Sequence, residues 1–199
     1  MASVVVPFRG TDPKRRLDPL DGGKRSLLAA AMLADVLAAA TRIGPALVVG
    51  AGVPALPPSG VELVDDPRRG LGAAVRAALD AAAERSLPPP YLVVNADLPC
   101  ATARDLLALA GAVPEGGLAL VAATDGTTNA LALADEHLFE PVYGPGSAAR
   151  FAGLAESRRL DTPNLRDDVD TLADLARVAA RLGAHTRRVL PALQLGAAA

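Results

Sequence analysis

The stretch "YLVVNADLPCAT", Tyr91–Thr102, decides how the rest of the chain is read. Tyr91–Asn95 is a short apolar run of the kind that forms a buried strand, and the triple proline Pro88–Pro90 stops whatever helix precedes it. The strand runs straight into Asn-Ala-Asp-Leu-Pro, so it ends by holding out a carboxylate at Asp97, with Pro99 fixing the chain behind it. Thr102 then caps a further helix, with Asp105 at the capping-box position. A strand that delivers a carboxylate and turns into a helix is the unit of an α/β protein.

Working outward, the same alternation recurs. Val4–Val6 reads as a first strand, followed by a loop, Phe8–Gly23, too rich in Gly, Pro and charge for helix. Lys24–Thr41 reads as a long Ala/Leu helix, Ala46–Gly50 and Val61–Val64 as strands, and Gly70–Ser86 as another helix. Leu118–Ala122 and Asn129–Leu133 bracket the turn "ATDGTT" as paired strands. "YGPGSAARF" leads into a helix running to about Ser157. Thr171–Leu182 is a last amphipathic helix, with Gly183 placed to end it, and the tail beyond Leu195 is expected to fray. The pattern predicts a single α/β domain over 1–199 with a largely parallel sheet. In such folds ligands bind beyond the carboxyl ends of the strands, which gathers the loop after Val6, the loop after Val64 and Asp97 at one edge.

Composition narrows the function. Half of the 199 residues are hydrophobic but only 3% are aromatic, so Ala, Val and Leu build the core. Net charge is −2, which argues against nucleic acid or an anionic membrane as partner. The single cysteine, Cys100, allows no internal disulfide, and no base is spaced to make it a nucleophile. The apolar run at the N-terminus is too short for a signal peptide, and Leu27–Ala40, interrupted by Asp35, is too short to span a bilayer. The expected location is the cytoplasm.

Four features carry chemistry. In "LRDDVDTLADL", Leu165–Leu175, an extended Asp168–Asp170 points two carboxylates the same way, and with Asp97 they offer three oxygen donors to a hard cation such as Mg²⁺. Asp170 has the competing reading of a helix N-cap, and Asp167 that of a solvated charge. The loop after the first strand carries Arg9, Lys14, Arg15 and Arg16; Lys14 and Lys24 are the only lysines among 20 basic residues. Such a loop suits a triphosphate, yet it contains neither a Walker A nor a G-x-G-x-x-G pattern. "PRRGLGAAV", Pro67–Val75, lets a ligand approach the backbone at Gly70 and Gly72, or is simply a tight turn. "YGPGSAARF" places Gly146 and Ser147 at a helix start that favours phosphate or carboxylate, unless Ser147 only caps its helix; Thr127, Thr128 and Asn129 on a turn nearby are either hydrogen-bond donors to a ligand or plain turn residues. His137 and His185, lacking a ligand partner at suitable spacing, are expected at the surface.

Taken in order, "PKRRL", "PRRGLGAAV", "NADLP", "DGTTNAL", "GPGSAARF" and "DTPNLRDDVDTLADL" resemble the guanylyltransferases of coenzyme F420 biosynthesis over nearly the whole chain. The resemblance implies a three-layer, MobA-like and Rossmann-like nucleotidyltransferase fold with a mixed, largely parallel sheet. It implies transfer of GMP from GTP to phosphoenolpyruvate or 2-phospho-L-lactate with release of pyrophosphate; the Arg- and Ala-rich composition leans toward phosphoenolpyruvate. By match, Asp97, Asp168 and Asp170 would hold Mg²⁺; Thr128, Gly144 and Ser147 would hold the phospho-acid; Lys14, Arg16, Gly70 and Leu71 would line the GTP side. Lys14, Arg16 and Asp97 would be the catalytic groups. A homodimer and the downstream transferase of the pathway are the protein partners the resemblance suggests. The chain departs from the family in "KRRL", where the second residue is usually Ser or Thr, and at Gly72, where an Asn is common. The rivals are a molybdenum-cofactor guanylyltransferase, a sugar-nucleotide pyrophosphorylase and a catalytically silent nucleotide-binding protein; the first two carry a Gly-rich first loop that "FRGTDPKRRL" does not match.

Overall fold

A computed structural model describes residues 1–9, 17, 20–51 and 59–193. Seven strands form one sheet in the order β3-β2-β1-β4-β6-β5-β7: β1 Ser3–Arg9, β2 Ala46–Ala51, β3 Val61–Val64, β4 Tyr91–Val94, β5 Leu118–Ala122, β6 Thr128–Leu133 and β7 Ser157–Arg159. All neighbouring pairs are parallel except the two that β6 makes, with β4 and β5. The chain moves outward from β1 to β2 and β3, then returns to lay β4 on the other side of β1. That reversal opens a crevice between the carboxyl ends of β1 and β4. Because β6 is antiparallel, its first residues lie at this same edge: Val94 pairs with Ala130, and the Asn95 amide donates to the Asn129 carbonyl at 3.0 Å.

Both faces of the sheet are covered, as the apolar runs of β1 and β4 require. Val4, Val6, Leu92 and Val94 pack with α1 (Gly22–Ala40), α3 (Ala103–Gly111) and Leu165 of the short α5 (Pro163–Arg166). Val5, Leu47, Val49 and Val93 face α2 (Leu71–Glu84) and α4 (Ser147–Ala152). A third cluster joins Leu28 and Met32 of α1 to Cys100, Val169, and Leu175 and Val178 of α6 (Leu172–Val178). Asp21 caps α1 by accepting from the Lys24 amide, and Thr102 with Asp105 forms the expected capping box on α3. Among the described residues no helix is long and apolar enough to cross a membrane.

Two sequence expectations fail near the C-terminus. The helix after "YGPG" ends at Ala152 instead of Ser157, because Ser157–Arg159 pairs in parallel with Leu118–Leu120 as the edge strand. Gly153 ends the helix, and the Ser157 hydroxyl donates to the Ala152 carbonyl across the turn. The helix expected over Thr171–Leu182 is α6 followed by a 3-10 turn, Ala179–Arg181. Gly183 does not close it; Gly183 is the N-cap of a further helix, α7 (Ala184–Val189). The tail beyond Leu195 lies outside the described residues.

Candidate active site at the β1–β4 edge

The turn after β4 is pinned at Asp97 and again two residues further on, at Pro99. The Asp97 carbonyl accepts from the Val169 amide at 3.1 Å, and the Pro99 carbonyl accepts from the Gly183 amide at 2.8 Å. The Val169 side chain is fully buried in the third cluster. Anchoring the middle residue of Asp-Val-Asp in the core while its amide holds Asp97 leaves the flanking carboxylates on the side of the crevice. Oxygens of Asp97, Asp168 and Asp170 all lie within 4.8 Å of one another, each side chain partly buried. An all-oxygen, three-carboxylate set is the donor chemistry of a hard divalent cation.

The competing role foreseen for Asp170 falls away, because Thr171 is the N-cap of α6 and Asp174 completes its capping box. Asp167 is not the solvated charge expected. It is buried, with Arg166 Nε at 3.0 Å and an Arg181 guanidinium nitrogen at 2.6 Å. Burial opposes its charge, but hydrogen bonds from Arg181 and Arg166 outweigh that and hold its carboxyl below the usual range. Asp167 thus braces the segment, whereas Asp168 and Asp170 face the crevice.

Beside the carboxylates, Thr128 and Ser147 come together. Their hydroxyls are 3.1 Å apart and both residues are buried. Ser147 does not cap its helix: Gly146, at φ 71°, is the N-cap, and Gly144 before it sits at φ 108°. Both glycines hold backbone angles that other residues rarely adopt, which makes the loop compact. Arg150, passed over in the sequence, shapes this loop: its guanidinium donates to the carbonyls of Val142, Tyr143 and Pro145. A planar group with five donors close to glycines is the only sequence signal that could have marked it. The Ala148 amide donates to the Gly126 carbonyl, tying the "DGTT" turn to α4.

Gly70 is the N-cap of α2 at φ 93°, and Gly70, Leu71 and Arg69 line an open groove of about 500 Å³ that reaches Arg76 and Pro141. The glycine at 72 has a packing reason. A Cβ there would lie 2.4 Å from the Pro141 Cβ, so an Asn at this position has no room. Lys14 and Arg16 lie outside the described residues. Cys100 is buried, and burial pushes its thiol up, in line with a cysteine that is no nucleophile.

The histidine expectations hold in part: His137 is exposed at the surface as expected. His137 does have carboxylate neighbours, since a 3-10 turn, Glu136–Leu138, sets it 3.5 Å from Glu136 with Asp135 alongside, on an exposed surface. His185 is only partly exposed and donates its amide to Asp35.

The mixed sheet reverses between β1 and β4, with Asp97 just after β4 and Asp168 and Asp170 brought beside it from the loop before α6; the family this chain matches makes it a nucleotidyltransferase. Residues 2–186 match the family described as guanylyl transferase CofC like, and the chain belongs to that family. It is 35% identical over 202 residues to the 2-phospho-L-lactate guanylyltransferase of Natrialba magadii, covering 88% of this chain and 82% of the relative. It is 41% identical over 119 residues to the phosphoenolpyruvate guanylyltransferase of Sphaerobacter thermophilus, a match spanning 57% of either chain. A crystal structure from Desulfovibrio desulfuricans, described as a nucleotide-diphospho-sugar transferase, superposes with a TM-score of 0.72 over 97% of both chains at 17% identity, a likeness of fold. The three-layer fold expected from the sequence is the one observed.

Proposed function

We propose that this protein transfers the GMP moiety of GTP to the phosphate of a three-carbon phospho-acid, phosphoenolpyruvate or 2-phospho-L-lactate, in coenzyme F420 biosynthesis. The observation that carries the reading is the meeting of Asp97, Asp168 and Asp170 within 4.8 Å at the β1–β4 edge of a chain from this family. Those carboxylates would hold Mg²⁺, which supplies charge neutralisation for the reacting phosphates. A phosphate oxygen of the acid forms the new bond to the α-phosphorus of GTP, the α–β bridge breaks, and pyrophosphate leaves with the bonding electrons. The attacking phosphate is already ionised, so the protein needs no nucleophile of its own, and its work is alignment.

In this reading the Thr128–Ser147 pair and the Gly144 backbone receive the acid, while Gly70, Leu71, Lys14 and Arg16 receive the nucleotide. Arg150 keeps the acid loop in shape through its three carbonyls. Ser147→Ala removes the partner of the Thr128 hydroxyl. The expected result is a KM for the acid raised about five-fold, corresponding to about 1 kcal/mol for one hydrogen bond, with the KM for GTP nearly unchanged. An equal rise in both constants places the pair away from the acid.

The deciding assay follows pyrophosphate release from GTP and Mg²⁺ with phosphoenolpyruvate, 2-phospho-L-lactate, 3-phospho-D-glycerate or a sugar 1-phosphate supplied singly. Phosphoenolpyruvate is expected to give the fastest release. Turnover with the sugar phosphate and none with any phospho-acid overturns the proposal.

A further inference from the structure

We infer that Asn129 is a positioning residue that holds Asp168 in its cation-binding orientation and links it to the acid-binding turn. The inference rests on the proposed cation site. Asn129 is almost fully buried at the start of β6, next to Thr128. Its amide nitrogen donates both hydrogens: one to the Arg166 carbonyl at 2.8 Å, the other toward the Asp168 carboxylate at 3.3 Å. Its amide oxygen faces the Asn95 side-chain nitrogen at 3.4 Å, and the same nitrogen reaches the Thr128 carbonyl at 3.3 Å. A carbonyl and a carboxylate can only accept, so the orientation of the Asn129 amide is fixed by its partners.

The residue type follows from this geometry. The position asks for two donors pointing toward the Asp168 segment and one acceptor pointing back toward β4. An Asp would set a second negative charge against Asp168, and an aliphatic side chain would leave the Arg166 carbonyl without that donor. Asn129 therefore ties the exit of β4, the turn before β6 and the acidic segment into one unit. A carboxylate that bonds a cation through one oxygen and is held through another is oriented more sharply than one left to rotate. Groups of this supporting kind typically change metal affinity by about 10- to 100-fold.

The test is a titration with Mn²⁺ alone, followed by electron paramagnetic resonance, on wild type, Asp168→Asn and Asn129→Ala. The Mg²⁺ concentration giving half-maximal rate is measured alongside. Asn129→Ala is expected to weaken Mn²⁺ about ten-fold and to raise the Mg²⁺ requirement by a similar factor, with the rate recovering at high Mg²⁺. A purely structural role predicts a lower melting temperature with both metal curves unmoved, and that result overturns the inference. Should Asn129→Ala not fold, Asn95→Ala removes only the rear support and is expected to weaken Mn²⁺ about three-fold; an unchanged curve there overturns it equally. If wild type takes up no Mn²⁺, the cation site and the inference fall together. If wild type binds and Asp168→Asn does not, an unaffected Asn129→Ala removes the inference alone.

Discussion

Asp168→Asn is expected to stay folded while losing guanylyl transfer by about a thousand-fold, the scale on which preorganised charge at a reacting phosphate operates. The thermal shift produced by Mg²⁺ with GTP should vanish with it. The shape of the side chain is kept, and its remaining carbonyl oxygen can still accept from Asn129. What changes is charge. Asp97, Asp168 and Asp170 bring three carboxylates within 4.8 Å, an arrangement whose mutual repulsion a cation relieves. Without ligands, then, the variant should melt no lower than wild type, whereas with Mg²⁺ and GTP the wild type alone gains stability by mass action. Near-normal turnover in Asp168→Asn would show that the three carboxylates are not the catalytic cation site.

The largest effect on stability is expected far from the chemistry, at Asp35. This residue lies in the middle of α1, yet it is 5% exposed. Its two oxygens accept from the His185 and Thr186 amides, each at 2.9 Å, so a carboxylate on the first helix caps the last one. Asp35→Ala leaves the buried Thr186 amide without that acceptor, and two hydrogen bonds to a charge are lost. The expected cost is about 3 kcal/mol, which for a chain of this length lowers the melting temperature by about 10 °C. Asp35→Asn, which still offers one acceptor, should lose roughly half as much. A fall of less than about 2 °C in Asp35→Ala would mean that α7 is capped by other means.

Asp35 also shows where the sequence stops being readable. In sequence it merely interrupts an apolar run; its partners are about 150 positions away, and no periodicity reports them. Features settled by neighbours were legible. The Thr102–Asp105 box, the strand leading into the turn at Asp97 and the hairpin around "ATDGTT" all depend on residues a few places apart. The Asp97–Asp168–Asp170 grouping was legible too, since a strand end and an i, i+2 pair limit where carboxylates can point. What local pattern could not reveal was competition from the edge of the sheet. The helix after "YGPG" reads as running to about Ser157, until the unpaired side of β5 offers Ser157–Arg159 a ladder. Gly183 likewise looks like a stop until Asp35 supplies the acceptor that starts another helix. Asn129 read as a donor to a ligand or a plain turn residue, and its contacts to the Arg166 carbonyl and the Asp168 carboxylate carried no local signal.

The bond from the Val169 amide to the Asp97 carbonyl has a consequence for synthesis on the ribosome. The sheet is complete at Arg159, before the second and third carboxylates have been made. A nascent chain halted at that point possesses every strand and the Asp97 turn, but neither the acidic segment that faces it nor α7, whose cap lies on α1. Long-range closures of this type come late because the intervening chain must be ordered first. Under the proposed function, the chain would become competent only after the segment following β7 docks, and a product truncated after β7 would lack Asp168 and Asp170.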